Sequence, residues 1–575
     1  MTISSSGTPI SSTAHSDAVK PATTVWLLAA LMGLAFAWPL VYAALFHGPE
    51  IITRSLTGDS YHYLAIARKA NVSHLYTYDG VNVTNGFHPL WQYVIRGVFA
   101  ALDLQSHESQ AIAVMWMALG AATLGIVLTA VSIIRMTNQY FLGLLLVPGL
   151  FYLVAGVHVR TLSVWSALDG MESAFSVLFG GMFFFVFSRY SGALAAKRPL
   201  DTVALCRALG LVLPLLILSR LDDVFILPAF LISLLGVDEP LRKRALAALW
   251  IVGPSSVAVL AYMVYNKLTV GVAMPLSGGT KSGFVGFLSA YMTVAVHLPP
   301  LLDLKGFLTK TPADGAAIFT NSFRFVEVAY PMVAATFGAV AVRRFWRHRP
   351  AAFVLLAVCL YILFKEAYNF LNVHPWHQAS WYYVFIILCL SVLGALALQK
   401  PWASLEDNSV ARHGLITLCV SLMLLSGAQY YSSIVYQSPN DPVLKFWERR
   451  SEIRKELTNN GVHGIINVDD GITAFLLDLP NLHGFAFAID VEGQKAHKAG
   501  KMLSLAYARG INCITGFGYM SVDQPPRSDA DIKRYLGHSL AAEGTRAEMD
   551  QFDFSLAYYD PVLKMPFFSF RPKAP

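Results

Sequence analysis

Long uncharged apolar runs recur from Thr24 to about residue 432, separated by short polar or basic stretches, and beyond that the pattern breaks into short segments. A hydrocarbon core takes about 20 apolar residues of helix to cross. Thr24–Phe46 is uncharged and meets that length, too long for the apolar part of a signal peptide, so it reads as an uncleaved first span. Residues 1–23, rich in Ser, Thr, Ala and Pro, read as a disordered cytoplasmic tail. Further runs at roughly 110–134, 139–157, 172–188, 205–219, 224–236, 245–265, 325–342, 351–364, 382–399 and 414–432 bring the expectation to about eleven transmembrane helices. The pair around 205–236 is interrupted by Arg220, Asp222 and Asp223, which predicts two short helices meeting at a membrane face.

Beyond residue 432, strand-like runs at Gly464–Val468, Phe485–Ile489, Cys513–Gly516 and Ser555–Tyr559 alternate with helix-like ones at Ile472–Leu477, Lys495–Ala508 and Ala530–Leu540. That alternation predicts a small α/β domain over 433–575. The expected fold is thus a polytopic α-helical membrane protein, 24–432, with large external loops at 47–107 and 266–324 and a C-terminal extracytoplasmic domain.

Composition supports membrane insertion. Charged residues make up 14% of the 575 positions and hydrophobic ones 55%, with a mean hydropathy of +0.51, against about 25% charged in soluble proteins. The net charge of +7 first raises the question of nucleic acid. With the N-terminus in the cytoplasm, however, Arg135, Arg189, Lys197, Arg198, Arg242–Arg244, Arg343, Arg344, Arg347, Arg349, Lys400 and Arg412 all fall on the cytoplasmic side. Topology accounts for the basic excess, and no nucleic-acid partner is expected. Five cysteines, four of them in apolar runs, give no disulfide framework.

Unusual polar residues concentrate in the first external loop: Gly58-Asp59-Ser60-Tyr61-His62-Tyr63, Asp79-Gly80, and Thr84-Asn85-Gly86-Phe87-His88-Pro89-Leu90-Trp91. Asp59 opens a stretch with helical spacing, so it is either a helix N-cap or a general base able to take a proton from an attacking hydroxyl. Asp79-Gly80 suits a turn. Ser277-Gly278-Gly279-Thr280 before Lys281 offers a flexible backbone able to form an anion nest. His374-Pro375-Trp376-His377 and Trp381-Tyr382-Tyr383 suit either an interfacial aromatic belt or sugar stacking with a hydrogen bond to a donor phosphate. The histidine spacing is not that of a zinc site.

The acidic residue after the first span, the Tyr-rich helix and the Thr84–Trp91 string together resemble the bacterial GT-C superfamily of polytopic glycosyltransferases, which use polyprenyl-phosphate sugars. The string is most similar to an arabinosyltransferase-like branch whose first loop often reads Asp-Asp-Ala-Tyr. Gly58 stands where the first acid would be, so the base role passes to Asp59 alone. Gly170-Met171-Glu172-Ser173, Ser219-Arg220-Leu221-Asp222, Met274-Pro275-Leu276-Ser277-Gly278 with Lys281, and Asp469-Asp470-Gly471 resemble further elements of the superfamily, in the same order. Structural alternatives stand beside them, with Glu172 as a helix cap and Arg220–Asp222 as an ion pair at a helix break.

The resemblance implies an inverting glycosyltransferase of the inner membrane, active on its periplasmic face. Asp59 would be catalytic; Glu172, His88, Asp79, Tyr61, His377 and Trp376 would bind substrate; Lys281, Arg220 and Ser277 would hold the donor phosphate. The implied partners are a polyprenyl-phosphate-linked sugar, an extracytoplasmic glycan, lipid or protein acceptor, and the bilayer. No cofactor is required, and a divalent metal is optional. The competing readings are a lipid or solute transporter or flippase, which would carry ionisable residues at the bilayer midplane, and a non-catalytic assembly protein. An intact Asp59 in a cavity of a helical core separates the first reading from both.

Overall fold

The structure is a computed structural model describing residues 22–146, 164–195, 202–277, 329–343, 349–372, 380–406, 408–436, 441–468, 471–484, 489–516, 522–539 and 547–574. It begins with α1 (Ala22–His47), a 3-10 turn over Pro49–Ser55, α2 (Gly58–Ser73), α3 (Pro89–Ala101) and α4 (His107–Thr137). Among the described residues seven helices are long and apolar enough to cross a membrane: Thr23–His47, His107–Thr137, Thr202–Ser219, Leu241–Thr269, Ala352–Leu371, Val384–Leu405 and Ser409–Val435. A shorter apolar helix runs over Ser173–Arg189.

Only 11% of the best apolar window of Ser409–Val435 and 22% of that of Leu241–Thr269 is buried within the protein. Such apolar helix surface needs a non-aqueous neighbour, which a bilayer supplies. The expected spans at 139–157 and 325–342 lie partly outside the described residues. The break near 220 takes the form of a 3-10 turn, Leu221–Phe225, followed by a ten-residue helix, Ile226–Leu235. At about 1.5 Å per residue that helix reaches only half-way through a hydrocarbon core.

Interior packing relies on small residues. A Cβ on Gly125 of α4 would lie 2.3 Å from the Val177 carbonyl oxygen, and one on Gly181 would lie 2.3 Å from that of Gly125. The two backbones therefore touch, as glycine permits between membrane helices.

The C-terminal segment opens with a helix, Pro442–Asn459, and builds one five-stranded sheet in the order β2-β1-β3-β5-β4. Strands β1 (Ile465–Asn467), β2 (Asn481–His483) and β3 (Cys513–Thr515) run parallel. Their connections accordingly carry helices, Ile472–Leu476 in the first and Val491–Lys498 with Met502–Ala508 in the second. Strands β4 (Phe552–Asp560) and β5 (Met565–Pro572) add an antiparallel hairpin.

Three features depart from the sequence reading. β2 precedes the expected 485–489 run, most of which lies outside the described residues. The helical run over 495–508 splits at Gly500, whose φ of +65° ends a helix. β5 was not foreseen.

This domain is clamped to α2 and the loop that follows it. Arg68 of α2 holds Asp478 through two hydrogen bonds of 2.8 and 3.0 Å, the Gly471 N–H donates to the Gly58 carbonyl at 3.3 Å, and Thr84 Oγ1 donates to the Ile489 carbonyl at 2.9 Å. Despite burial, hydrogen bonds from His107 and Arg68 hold the Asp478 carboxyl below the usual carboxylate range. The C-terminal domain thereby stands directly behind the N-terminal turn of α2.

Candidate active site

A pocket of about 490 Å³, counting its open mouth, is lined by α2 and by the loops, turns and helix break that gather beside it. Asp59, His62 and Tyr63 come from one face of α2, where spacings of three and four residues bring side chains together. Phe87 and His88 come from the loop before α3, Met171 and Glu172 from the turn before the Ser173–Ala195 helix, Arg220 from the helix break, Ser277 from the Met274–Ser277 segment, and Trp381 and Tyr382 from a short turn.

The first loop and the Glu172 turn are locked together. The Thr57 N–H donates to the Asp169 carbonyl at 3.1 Å, and the buried Trp91 indole donates to the Gly170 carbonyl at 3.1 Å. Gly170 has φ +79°, and a Cβ there would meet Leu56 Cδ2 at 2.4 Å, so both conformation and space require glycine. Asp169 itself is buried, its Oδ1 accepting from the Met171 N–H at 2.9 Å and from Ser173 Oγ at 3.2 Å. Burial pushes its carboxyl well above the ordinary range.

Glu172 sits at the centre. Its Oε1 accepts from Arg220 Nη1 at 2.8 Å and its Oε2 from the Tyr63 hydroxyl at 2.9 Å. His88 Nε2 stands 3.5 Å from Oε1, while its Nδ1 accepts the Leu221 N–H at 3.2 Å. A ring nitrogen that accepts carries no proton, so His88 is the neutral tautomer with its hydrogen on Nε2, toward Glu172.

Arg220 is committed. Its Nε and Nη2 reach Asp222 at 3.0 and 3.2 Å, its Nη1 also donates to the Trp381 carbonyl at 3.2 Å, and its guanidinium lies 4.4 Å from the Tyr382 ring centre. Its side chain is 2% exposed. The network continues through Lys365, which pairs with Asp222 at 3.4 Å and Asp223 at 2.5 Å, and through Tyr361, which donates to Asp223 at 2.6 Å. Burial works against charge on Asp222, but Arg220 and Lys365 outweigh it and hold that carboxyl low.

Asp59 differs from all of these. It lies in the first turn of α2, with Thr57 rather than Asp59 at the N-cap position, so the capping alternative does not describe it. Among the described residues its carboxylate makes no hydrogen bond and no ion pair, and it lines the pocket.

Of the residues expected at the site, Asp59, Glu172, His88, Arg220 and Ser277 are brought together, whereas Lys281, Trp376 and His377 lie outside the described residues. Two stand elsewhere. Asp79 organises a turn, accepting from Thr77 Oγ1 and the Val81 and Asn82 N–H groups, and pairs with Arg509 of the C-terminal domain at 3.0 Å. Tyr61 points away, its hydroxyl accepting from the Trp447 indole at 3.0 Å. Tyr61 lies two positions from both Asp59 and Tyr63, about 200° around the helix, so it faces away from the pocket they line.

Sequence reasoning passed over His62, Tyr63, Asp169 and Lys365. Their signals were the three- and four-residue spacing from Asp59 and, for Lys365, one cation just beyond an apolar run, where an intramembrane charge marks a partner.

No family model matches this sequence, and no curated protein does. Among solved structures, the Archaeoglobus fulgidus oligosaccharyltransferase in complex with Zn and sulfate is similar over 95% of this chain and 73% of its own, at 14% identity and a TM-score of 0.50. ArnT from Cupriavidus metallidurans bound to undecaprenyl phosphate is similar over 93% of this chain and 98% of its own, at 13% identity and a TM-score of 0.44. The chain thus has the polytopic helical fold of the oligosaccharyltransferase. Among the described residues no three His, Cys, Asp or Glu side chains gather as a metal site.

Proposed function

We propose that this protein is an inverting membrane glycosyltransferase that moves a sugar from a polyprenyl-phosphate donor to a hydroxyl on an extracytoplasmic glycan, lipid or protein. The observation that carries the reading is Asp59, unengaged among the described residues, beside a wall of buried, mutually neutralised charge. The Asp59 carboxylate accepts the acceptor hydroxyl proton as that oxygen bonds to the anomeric carbon. The bond from that carbon to the phosphate oxygen breaks, and the phosphate keeps the electron pair. The scheme uses this chain's own groups, with a divalent metal optional.

The developing phosphate charge needs fixed positive or hydrogen-bonding partners. Arg220 spends four of its five N–H donors on Glu172, Asp222 and the Trp381 carbonyl. It serves chiefly as the pocket wall, and Ser277 with Lys281 supplies the phosphate contact. Asn85 places Ser277, accepting from the Leu276 N–H at 3.1 Å and donating to the Met274 carbonyl at 3.2 Å.

The test is purified full-length protein in liposomes supplied with polyprenyl-phosphate pentoses and hexoses. Consumption of one of them with release of polyprenyl phosphate is expected; consumption of none would contradict the reading. Lys281→Ala is expected to weaken undecaprenyl phosphate binding about tenfold, as loss of a charge-assisted contact does. Unchanged affinity would move the phosphate site away from Lys281.

The sorting of basic residues supports a C-terminal domain on the periplasmic side of a bacterial inner membrane, with the N-terminus cytoplasmic. A phosphatase fused after Tyr431 is expected to be active and a cytoplasmic reporter fused there silent. The reverse pattern would overturn the orientation.

A further inference from the structure

Four aromatic rings line the pocket, and three are committed to other partners. The Tyr63 hydroxyl donates to Glu172. Phe87 packs against Tyr76 and Tyr93 at ring separations of 5.5 and 6.2 Å. Tyr382 stacks on the Arg220 guanidinium. Trp381 is different: its indole is half-buried and lines the pocket, and among the described residues it makes no hydrogen bond and no ring contact.

Its backbone, by contrast, is fixed. The Trp381 carbonyl accepts from Arg220 Nη1 at 3.2 Å, Tyr382 is held on Arg220, and Tyr383 is buried 5.8 Å from the Tyr330 ring. A buried ion-pair network thus holds a large apolar ring with a spare N–H in a pocket that also presents carboxylates and imidazoles. That combination suits a sugar, whose C–H face packs on an aromatic ring while its hydroxyls meet polar groups.

Resting on the transferase reading, we propose that Trp381 is the platform for the donor's sugar ring, discriminating the sugar-bearing lipid from the bare lipid phosphate. Glu172 and His88, 3.5 Å apart, are the polar groups that face the sugar hydroxyls. Arg220 acts as a positioning residue for the platform through the Trp381 carbonyl.

The test compares two affinities in full-length protein: for undecaprenyl phosphate, and for the undecaprenyl-phosphate pentose or hexose that wild type binds best. Trp381→Leu is expected to lose about tenfold or more in affinity for the sugar-bearing lipid, the scale of a lost aromatic contact, with affinity for undecaprenyl phosphate unchanged. Trp381→Phe, keeping a ring, is expected to recover part of the loss. If Trp381→Leu discriminates the two lipids as wild type does, or weakens both equally, the platform assignment falls while the transferase reading stands. If wild type prefers no sugar-bearing lipid over undecaprenyl phosphate, the transferase reading and the platform fall together.

Discussion

Glu172→Leu is expected to destabilise the protein by about 3–5 kcal/mol, the range found when one member of a buried ion pair is removed. The side chain is 1% exposed and answers two donors, Arg220 at 2.8 Å and the Tyr63 hydroxyl at 2.9 Å. Without it, Arg220 keeps only Asp222 as a carboxylate partner, and the Tyr63 hydroxyl, which still accepts from the His88 N–H at 3.3 Å, loses the acceptor for its own proton, itself a cost of about 1–3 kcal/mol. Glu172→Gln keeps the shape and an acceptor for Tyr63, so its cost is smaller. The double variant Glu172→Leu with Arg220→Met is expected to be less destabilised than the two single changes summed, because Asp222 retains Lys365 at 3.4 Å. Chemical unfolding in detergent measures all four, and a Glu172→Leu protein as stable as wild type would show that the pair is not a structural wall.

How much of this was readable from sequence depends on distance along the chain. Apolar runs report directly on membrane helices, because one helix satisfies its own backbone and needs only length and hydropathy. Helical spacing on α2 carries the same kind of signal for His62 and Tyr63, three and four positions from Asp59, although it went unused. What a linear pattern does not carry is which polar group meets which across the fold. Arg220 looked like a phosphate ligand from its place at a break; in the fold it meets Glu172, 48 positions earlier. Asp79 looked available, and a partner 430 positions away, Arg509, holds it in a turn. Tyr61 was drawn in by its nearness to Asp59, although two positions, about 200° around a helix, send the side chain to the C-terminal domain instead. Strand β5 escaped notice because its pairing with β4 and β3 is set by the sheet.

The second large effect concerns the chemistry. Asp59→Asn keeps size and hydrogen-bonding capacity but cannot take up a proton at neutral pH. Removing a positioned general base slows a reaction by about 10²–10⁴-fold. Because Asp59 is not the N-cap and has no ion-pair partner among the described residues, the substitution is expected to leave stability within about 0.5 kcal/mol. The variant should therefore fold, insert and bind undecaprenyl phosphate as wild type does, with the loss confined to turnover. Glu172→Leu shows a different profile, a stability loss together with a loss of activity.

The most direct measurement is the rate of sugar transfer by purified Asp59→Asn, taken beside its melting behaviour and its affinity for undecaprenyl phosphate in the same preparation. An account in which Asp59 is the base predicts wild-type melting and binding with transfer reduced by about 10²-fold or more. Transfer at a near wild-type rate by that folded, lipid-binding variant would contradict it.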